Sequence, residues 1–179
     1  MLKSIPFFRC SFMSLAKIHP LLSTAGHSPN NVAKSLVQSV MLSGRYRCGA
    51  LIRHWKKDYD GCCLLSPECH NQIEDIPHVL QFCVGLSNTR KSLMTFTHNY
   101  LSDLPDLLRD LIFNLCTPES PTFCQFLLDC SSIPSVISAS QLLGKIFVHE
   151  HLFYISRIWV YAIHRERLKQ LGTWKQYKL

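Results

Sequence analysis

The sequence predicts a mainly α-helical chain, in which a small pinned loop–helix module is followed by a helical tail. Three observations carry this reading. From Pro29 onward, apolar residues recur three and four positions apart in runs broken by Pro, Gly and Ser, a spacing of helix faces rather than strands. Cys63, Cys69, His78 and Cys83 form the pattern C-x5-C-x8-H-x4-C. Three thiolates plus one imidazole are a common closed donor set for a tetrahedral structural zinc ion, so the module is expected to be zinc-pinned. The charge is also uneven. Residues 1–57 hold nine Lys/Arg and no Asp/Glu, while the remainder holds ten basic and twelve acidic residues within a formal total of +7.

These features bound the function. A chain of 179 residues with 47% hydrophobic content suits one core, or one core plus a small module. An acid-free first third favours a polyanionic partner. The opening MLKSIPFFRCSFMSLA has no apolar stretch of secretory length, because Arg9 interrupts it; it reads as a start within a longer frame rather than as a targeting peptide. Nine cysteines in a reducing, intracellular setting (nucleus or cytoplasm) are then free or metal-bound. The most apolar region, Leu142–Ile163, contains Lys145, His149, Glu150, His151 and Arg157, so no membrane span is expected.

The elements follow in order. Residues 1–28, with Pro6, Pro20 and Ser-Thr-Ala-Gly at 23–26, read as an irregular basic leader. Ser28-Pro29 marks a helix start. The helix is expected over Pro29–Ser43, with Val32, Leu36, Val37, Val40 and Met41 inward and Gly44 as its left-handed stop. Next come Arg45, Tyr46, Arg47, Arg53, Trp55, Lys56 and Lys57. Cations that grip phosphate, interleaved with aromatic faces that stack on unpaired bases, make these the candidate RNA- or DNA-binding residues. Ala50–Trp55 is expected to be a short helical or extended piece. A loop bracketed by Gly61 and Pro67 brings Cys63 and Cys69 together, and helical turns over Ile76–Phe82 carry His78. Cys83 falls just past their end. Glu74 or Asp75 is the candidate acceptor for the second ring nitrogen of His78. Cys62 and His70 are further candidate ligands. The putting-together of these pieces gives a zinc and nucleic-acid module over residues 29–104 and a tail over 105–179.

The segment resembles the C-terminal region of non-LTR (LINE-type) retrotransposon reverse transcriptases. The matching residues are Leu42-Ser43-Gly44-Arg45-Tyr46-Arg47, then Cys63 and Cys69, then Glu74-Asp75-Ile76-Pro77-His78 and Cys83. The resemblance implies a CCHC zinc element that grips template RNA or target DNA beside a polymerase, with the reverse transcriptase core or another protein as a further partner. The wider stretch from Ser11 to Leu168 is similar to the tails of such open reading frames. Two features depart from the usual pattern. Five residues rather than two separate the first cysteine pair, and Val84 rather than Pro follows the last cysteine. No paired-Asp polymerase motif occurs, and metal-dependent nucleotidyl transfer needs two positioned carboxylates. The resemblance is therefore to a detached tail.

Beyond the cysteines, a helix is expected over 87–101, with Leu93, Phe96, Tyr100 and Leu101 inward and Arg90 and Lys91 on a solvated face. Another runs from Pro105 to about Leu115 on a stripe of Leu107, Leu108, Leu111, Ile112 and Leu115. Phe123–Cys130 forms a short helix, and Cys116, Cys124 and Cys130 read as core thiols. One long helix is expected over Ser135–Leu171, bent at Gly144; His149 and His151 do not share a face on it. Its last turns carry cations, and Thr173–Leu179 are expected to fray. No nucleophile elbow, phosphate loop or H-E-x-x-H occurs. The expectation is a non-catalytic binding module. The alternatives are a helical structural or protein-interaction domain, and a transposon remnant without a selected role.

Overall fold

The computed structural model describes residues 19–26 and 28–172. Its helices are α1 (Pro20–Ser23), α2 (Pro29–Leu42), α3 (Gly49–Ile52), α4 (Ser87–Leu101), α5 (Asp106–Cys116), α6 (Phe123–Leu128), α7 (Pro134–Leu143) and α8 (Lys145–Leu171). Among the described residues, β pairing is confined to one antiparallel bridge, Cys62 to Ile73. The chain is mainly α, with the Cys/His segment preceding a helical tail.

Helix α8 is the axis of the structure. It lies against α2, α4, α6 and α7, and buries Val148, Leu152, Phe153, Ile155, Trp159, Val160 and Ile163. A helix enclosed on most sides needs no one-sided apolar stripe. Trp159 meets Phe123 edge-on at 5.5 Å, and its indole N–H donates to Thr97 Oγ1 at 2.9 Å. One continuous cluster of buried side chains runs from Leu21 to Ile163 and takes in the cysteines of the loop as well as the tail.

The expected single helix over 135–171 is two helices. Gly144 sits at φ +91°, a left-handed value that costs glycine little, and the chain breaks there rather than bending. Helix α6 stops at Leu128, short of the expected Cys130, because Asp129 turns extended and accepts from the Ser131 amide at 3.1 Å.

Helix α2 has the expected bounds and a different register. Met41 is buried as expected and Val37 packs against the core, but Val32, Leu36 and Val40 are exposed, Leu36 at 55%, while Ser35 and Gln38 are buried. The reason is a polar contact. The Gln38 amide donates to the Leu127 carbonyl at 2.5 Å, at the end of α6, and meets Ser156 Oγ at 3.0 Å. An unmet carbonyl at a buried helix end is costly, so the glutamine turns inward and the aliphatic row faces out. Leu107 on α5 is likewise exposed, while Leu108, Leu111, Ile112 and Leu115 are buried as expected.

Part of the leader is ordered helix. Pro20–Ser23 forms α1, with Leu21 buried; its carbonyl accepts from Ser35 Oγ and from Arg157 Nη1, both at 3.3 Å. The expectations for residues 1–18 and 173–179 lie outside the described residues. Burial pushes the Cys116 and Cys124 thiols up to about 12, so they are neutral thiols at ordinary pH. None of the described helices is long and apolar enough to cross a membrane.

Burial also lowers the pKa of His149, His151 and His164 from 6.5. A folded-state pKa below the unfolded value means the unfolded chain binds more protons in that window. Stability is then full above about pH 6.5 and falls as pH drops through the depressed values. The melting temperature is expected to decline from pH 7 toward pH 5. The slope should ease in a His149→Phe variant; a flat profile would refute the assignment.

Candidate metal centre

The loop between α3 and α4 is shaped by short local bonds. The Cys63 amide donates to the Gln72 carbonyl and the Glu74 amide to the Gly61 carbonyl, both at 2.9 Å. Together with the Cys62–Ile73 bridge, these make a two-sided ladder that fixes Cys63. Ser66 Oγ accepts from the Glu68 amide at 3.3 Å and caps a 3-10 turn over Pro67–Cys69, which turns Cys69 inward. Asp75 Oδ1 accepts from the His78 amide at 2.7 Å.

The next turn, His78–Phe82, is a π turn rather than an α turn. The Cys83 amide closes on the His78 carbonyl at 2.7 Å. On an α-helix, five residues would put Cys83 about 140° away from His78. The wider π turn brings the two onto one side, a use of such turns that recurs at functional sites.

Cys63, Cys69, His78 and Cys83 converge, with one donor atom from each lying within 4.8 Å of the others, and all four are buried. The Cys63 and Cys83 sulfurs are 3.7 Å apart. A tetrahedral metal with bonds of about 2.3 Å to sulfur has an S···S edge of about 3.8 Å. Main-chain N–H groups turn toward the sulfurs. Val84 donates to Cys69 Sγ at 3.4 Å, and the Leu65 and Gly85 amides serve Cys63 and Cys83. Gly85 has no room for a side chain, since a Cβ there would lie 2.8 Å from the Leu65 carbonyl oxygen; the two cysteine turns touch at this point.

The electrostatics also suit a cation. The hydrogen shared with Cys83, and then the nearby His78 ring, lower the pKa of the Cys63 thiol against the effect of burial. Its neighbour Cys83 is pushed up by that shared hydrogen and by burial. Nε2 of His78 is buried with no hydrogen-bond partner. A buried polar atom without a partner asks for an explanation such as an ion. The donor set, its spacing and this nitrogen together fit a metal ion. Cys62 and His70 lie outside the group.

Neither Glu74 nor Asp75 accepts from the His78 ring, contrary to expectation. Asp75 serves the His78 main chain. Glu74 is buried and faces away, in a two-point ion pair with Arg167 of α8 (Oε1 to Nε 2.9 Å, Oε2 to Nη2 2.7 Å). Its Oε2 also accepts from the Gly49 amide at 2.7 Å, at the start of α3. The guanidinium of Arg167 lies over the Tyr46 ring at 5.3 Å, and the Tyr46 hydroxyl pairs with His164 Nδ1 at 3.1 Å.

Tyr46 is accordingly 5% exposed, and burial pushes its pKa up to about 12. Expected as a base-stacking residue, it is instead the anchor that packs the basic segment onto α8. Around it, Arg45, Arg47, Arg53, Lys56 and Lys57 are exposed, and Trp55 is exposed to 65%. Arg90, expected on a solvated face, is buried beside the cysteines, and its Nη2 donates to the Cys83 carbonyl. Sequence reasoning missed Arg90 beside the centre and Arg167 behind Glu74, because nothing in their spacing from the cysteines marks them.

Comparison with protein-family models, with curated proteins and with solved structures finds no match to this chain.

Proposed function

We propose that the chain is a non-catalytic, zinc-dependent nucleic-acid-binding module, in keeping with the resemblance to a reverse transcriptase tail. Zinc is favoured because three thiolates and an imidazole in a closed, buried set are its characteristic structural ligands. The observation that carries the binding reading is the exposed segment bonded to the back of this centre. Trp55 stands out at 65% among the exposed Arg53, Lys56 and Lys57. The segment is tied to the metal loop through Gly49 and Ala50, whose amides go to the side chain and carbonyl of Glu74. Cations give phosphate contact, and an unburied indole gives a stacking platform for a single strand.

Fluorescent single-stranded RNA and DNA oligonucleotides titrated at two salt concentrations test this. Trp55→Ala is expected to weaken binding by about 1–3 kcal/mol if one base stacks on the ring. The double change Lys56→Gln/Lys57→Gln should reduce the log–log salt slope by about 1.4 for a single strand. Metal content should stay unchanged in both. Binding that is indifferent to these residues would leave the second reading, a helical interaction domain, which is favoured by the exposed Val32, Leu36 and Val40 on α2.

A further inference from the structure

Arg90 is a buried cation in an unusual place. It is 7% exposed and stands in the first turn of α4, which contains no acidic residue. The helix dipole disfavours a cation there. Among the described residues no carboxylate forms an ion pair with it. Its Nη2 donates to the Cys83 carbonyl, its Nη1 is buried without a hydrogen-bond partner, and the groups it feels electrostatically are Cys83 and Cys69. An uncompensated charge in this position would be expensive. A divalent ion held by three thiolates and a neutral imidazole carries a formal charge of about −1, also in a buried place. The two costs are complementary.

We propose that Arg90 is the counter-ion of the metal centre: its guanidinium offsets the negative charge of the three-thiolate site and thereby raises its metal affinity. This rests on the metal reading above. Arginine suits the task because it keeps its charge when buried and is weakly hydrated, while its fork spends one nitrogen on the Cys83 carbonyl and turns another inward. Arg90 is a positioning and charge-balancing residue, not a ligand.

The test compares the full chain with Arg90→Lys, Arg90→Gln and Arg90→Met. Zinc affinity is read by competition with a chromophoric chelator at fixed pH, and the ligand field by the visible bands of the Co(II)-substituted protein. Gln keeps a donor for the carbonyl without charge, and Lys keeps the charge without the fork. Gln and Met are expected to lose about 10–100-fold in zinc affinity, the usual scale for outer-layer partners. They should keep one metal per chain and the tetrahedral Co(II) spectrum, and Lys should recover most of the loss. If Arg90→Met is unfolded by circular dichroism, the Lys-to-Gln ratio decides the matter. Equal affinities for Lys and Gln would overturn the charge role and leave a carbonyl clamp. Wild-type protein that takes up no stoichiometric zinc would overturn the metal reading itself, and this inference with it.

Discussion

A Cys69→Ser variant is expected to lose tight zinc binding, and the segment from Gly61 to Leu86 with it. Cys69 is held by its short turn, by the Gln72 amide on its carbonyl at 2.8 Å and by the Val84 amide on its sulfur. The Cys63–Cys83 contact persists without it, so the change removes one donor and little else. The segment has few means of its own to stay folded. It consists of one bridge, two 3-10 turns and one π turn; its buried aliphatic residues, Ile76, Val79, Leu80 and Leu86, join the helical core, and the four donor residues close the remaining side. Structural zinc contributes about 10–16 kcal/mol to the folding of isolated finger peptides. Here the surrounding helices share the work, and the effect should be local. Chelation of the wild type should raise amide exchange across 61–86 while Trp159 and its neighbours on α8 stay protected. Nucleic-acid affinity should fall in parallel, because Glu74, inside this segment, holds Gly49. Metal analysis, hydrogen exchange and one binding titration check the chain of effects. Unchanged exchange after chelation, in a protein shown to have carried metal, would mean that the helices alone shape the loop.

What the sequence makes legible follows from range. The four donors are close in sequence and chemically rare, so their pattern can be read without knowing the path between them. Helix bounds such as Pro29–Leu42 rest on Pro and Gly at the ends, and are equally local. The face that α2 buries is a different matter. Counting aliphatic residues selects Val32, Leu36, Val37, Val40 and Met41; Val37 and Met41 do pack inward, but Gln38 takes the place of the other three, because the Leu127 carbonyl, 89 positions away in sequence, needs a donor. Tyr46 was misjudged for the same reason. Between Arg45 and Arg47 an aromatic looks like a binding residue, and only α8, arriving from more than a hundred residues downstream, buries it. The π turn was illegible because its residues, His-Val-Leu-Gln-Phe, suit an α turn equally well; closure on the metal side selects the wider one.

Breaking the ion pair between Glu74 and Arg167 should produce the second large effect, and it separates fold from function. Both side chains are nearly inaccessible, 1% and 2% exposed. Removing one partner of a buried pair strands the other charge, at a cost of about 3–5 kcal/mol. For a chain of this size that corresponds to a fall in melting temperature of about 6–20 °C, read with metal saturating. Arg167→Met is the cleaner single change, because Glu74 then keeps its Gly49 amide while losing its counter-charge. The double change Glu74→Leu/Arg167→Met removes both charges and should recover much of the stability, since apolar replacement of a whole buried pair is often neutral or better. It should not recover binding. Without the carboxylate, the Gly49 amide loses its acceptor. Without the guanidinium, Tyr46 loses the cation above its ring. The segment carrying Arg45, Arg47, Arg53 and Trp55 then keeps the Ala50 amide's bond to the carbonyl at position 74 but loses its side-chain anchors. A stable double variant that holds one metal and binds single strands weakly would place the pair as the strut that aims the basic segment. A double variant that binds like the wild type would show that the segment needs no such strut, and an Arg167→Met protein as stable as the wild type would show that the pair is not buried in solution.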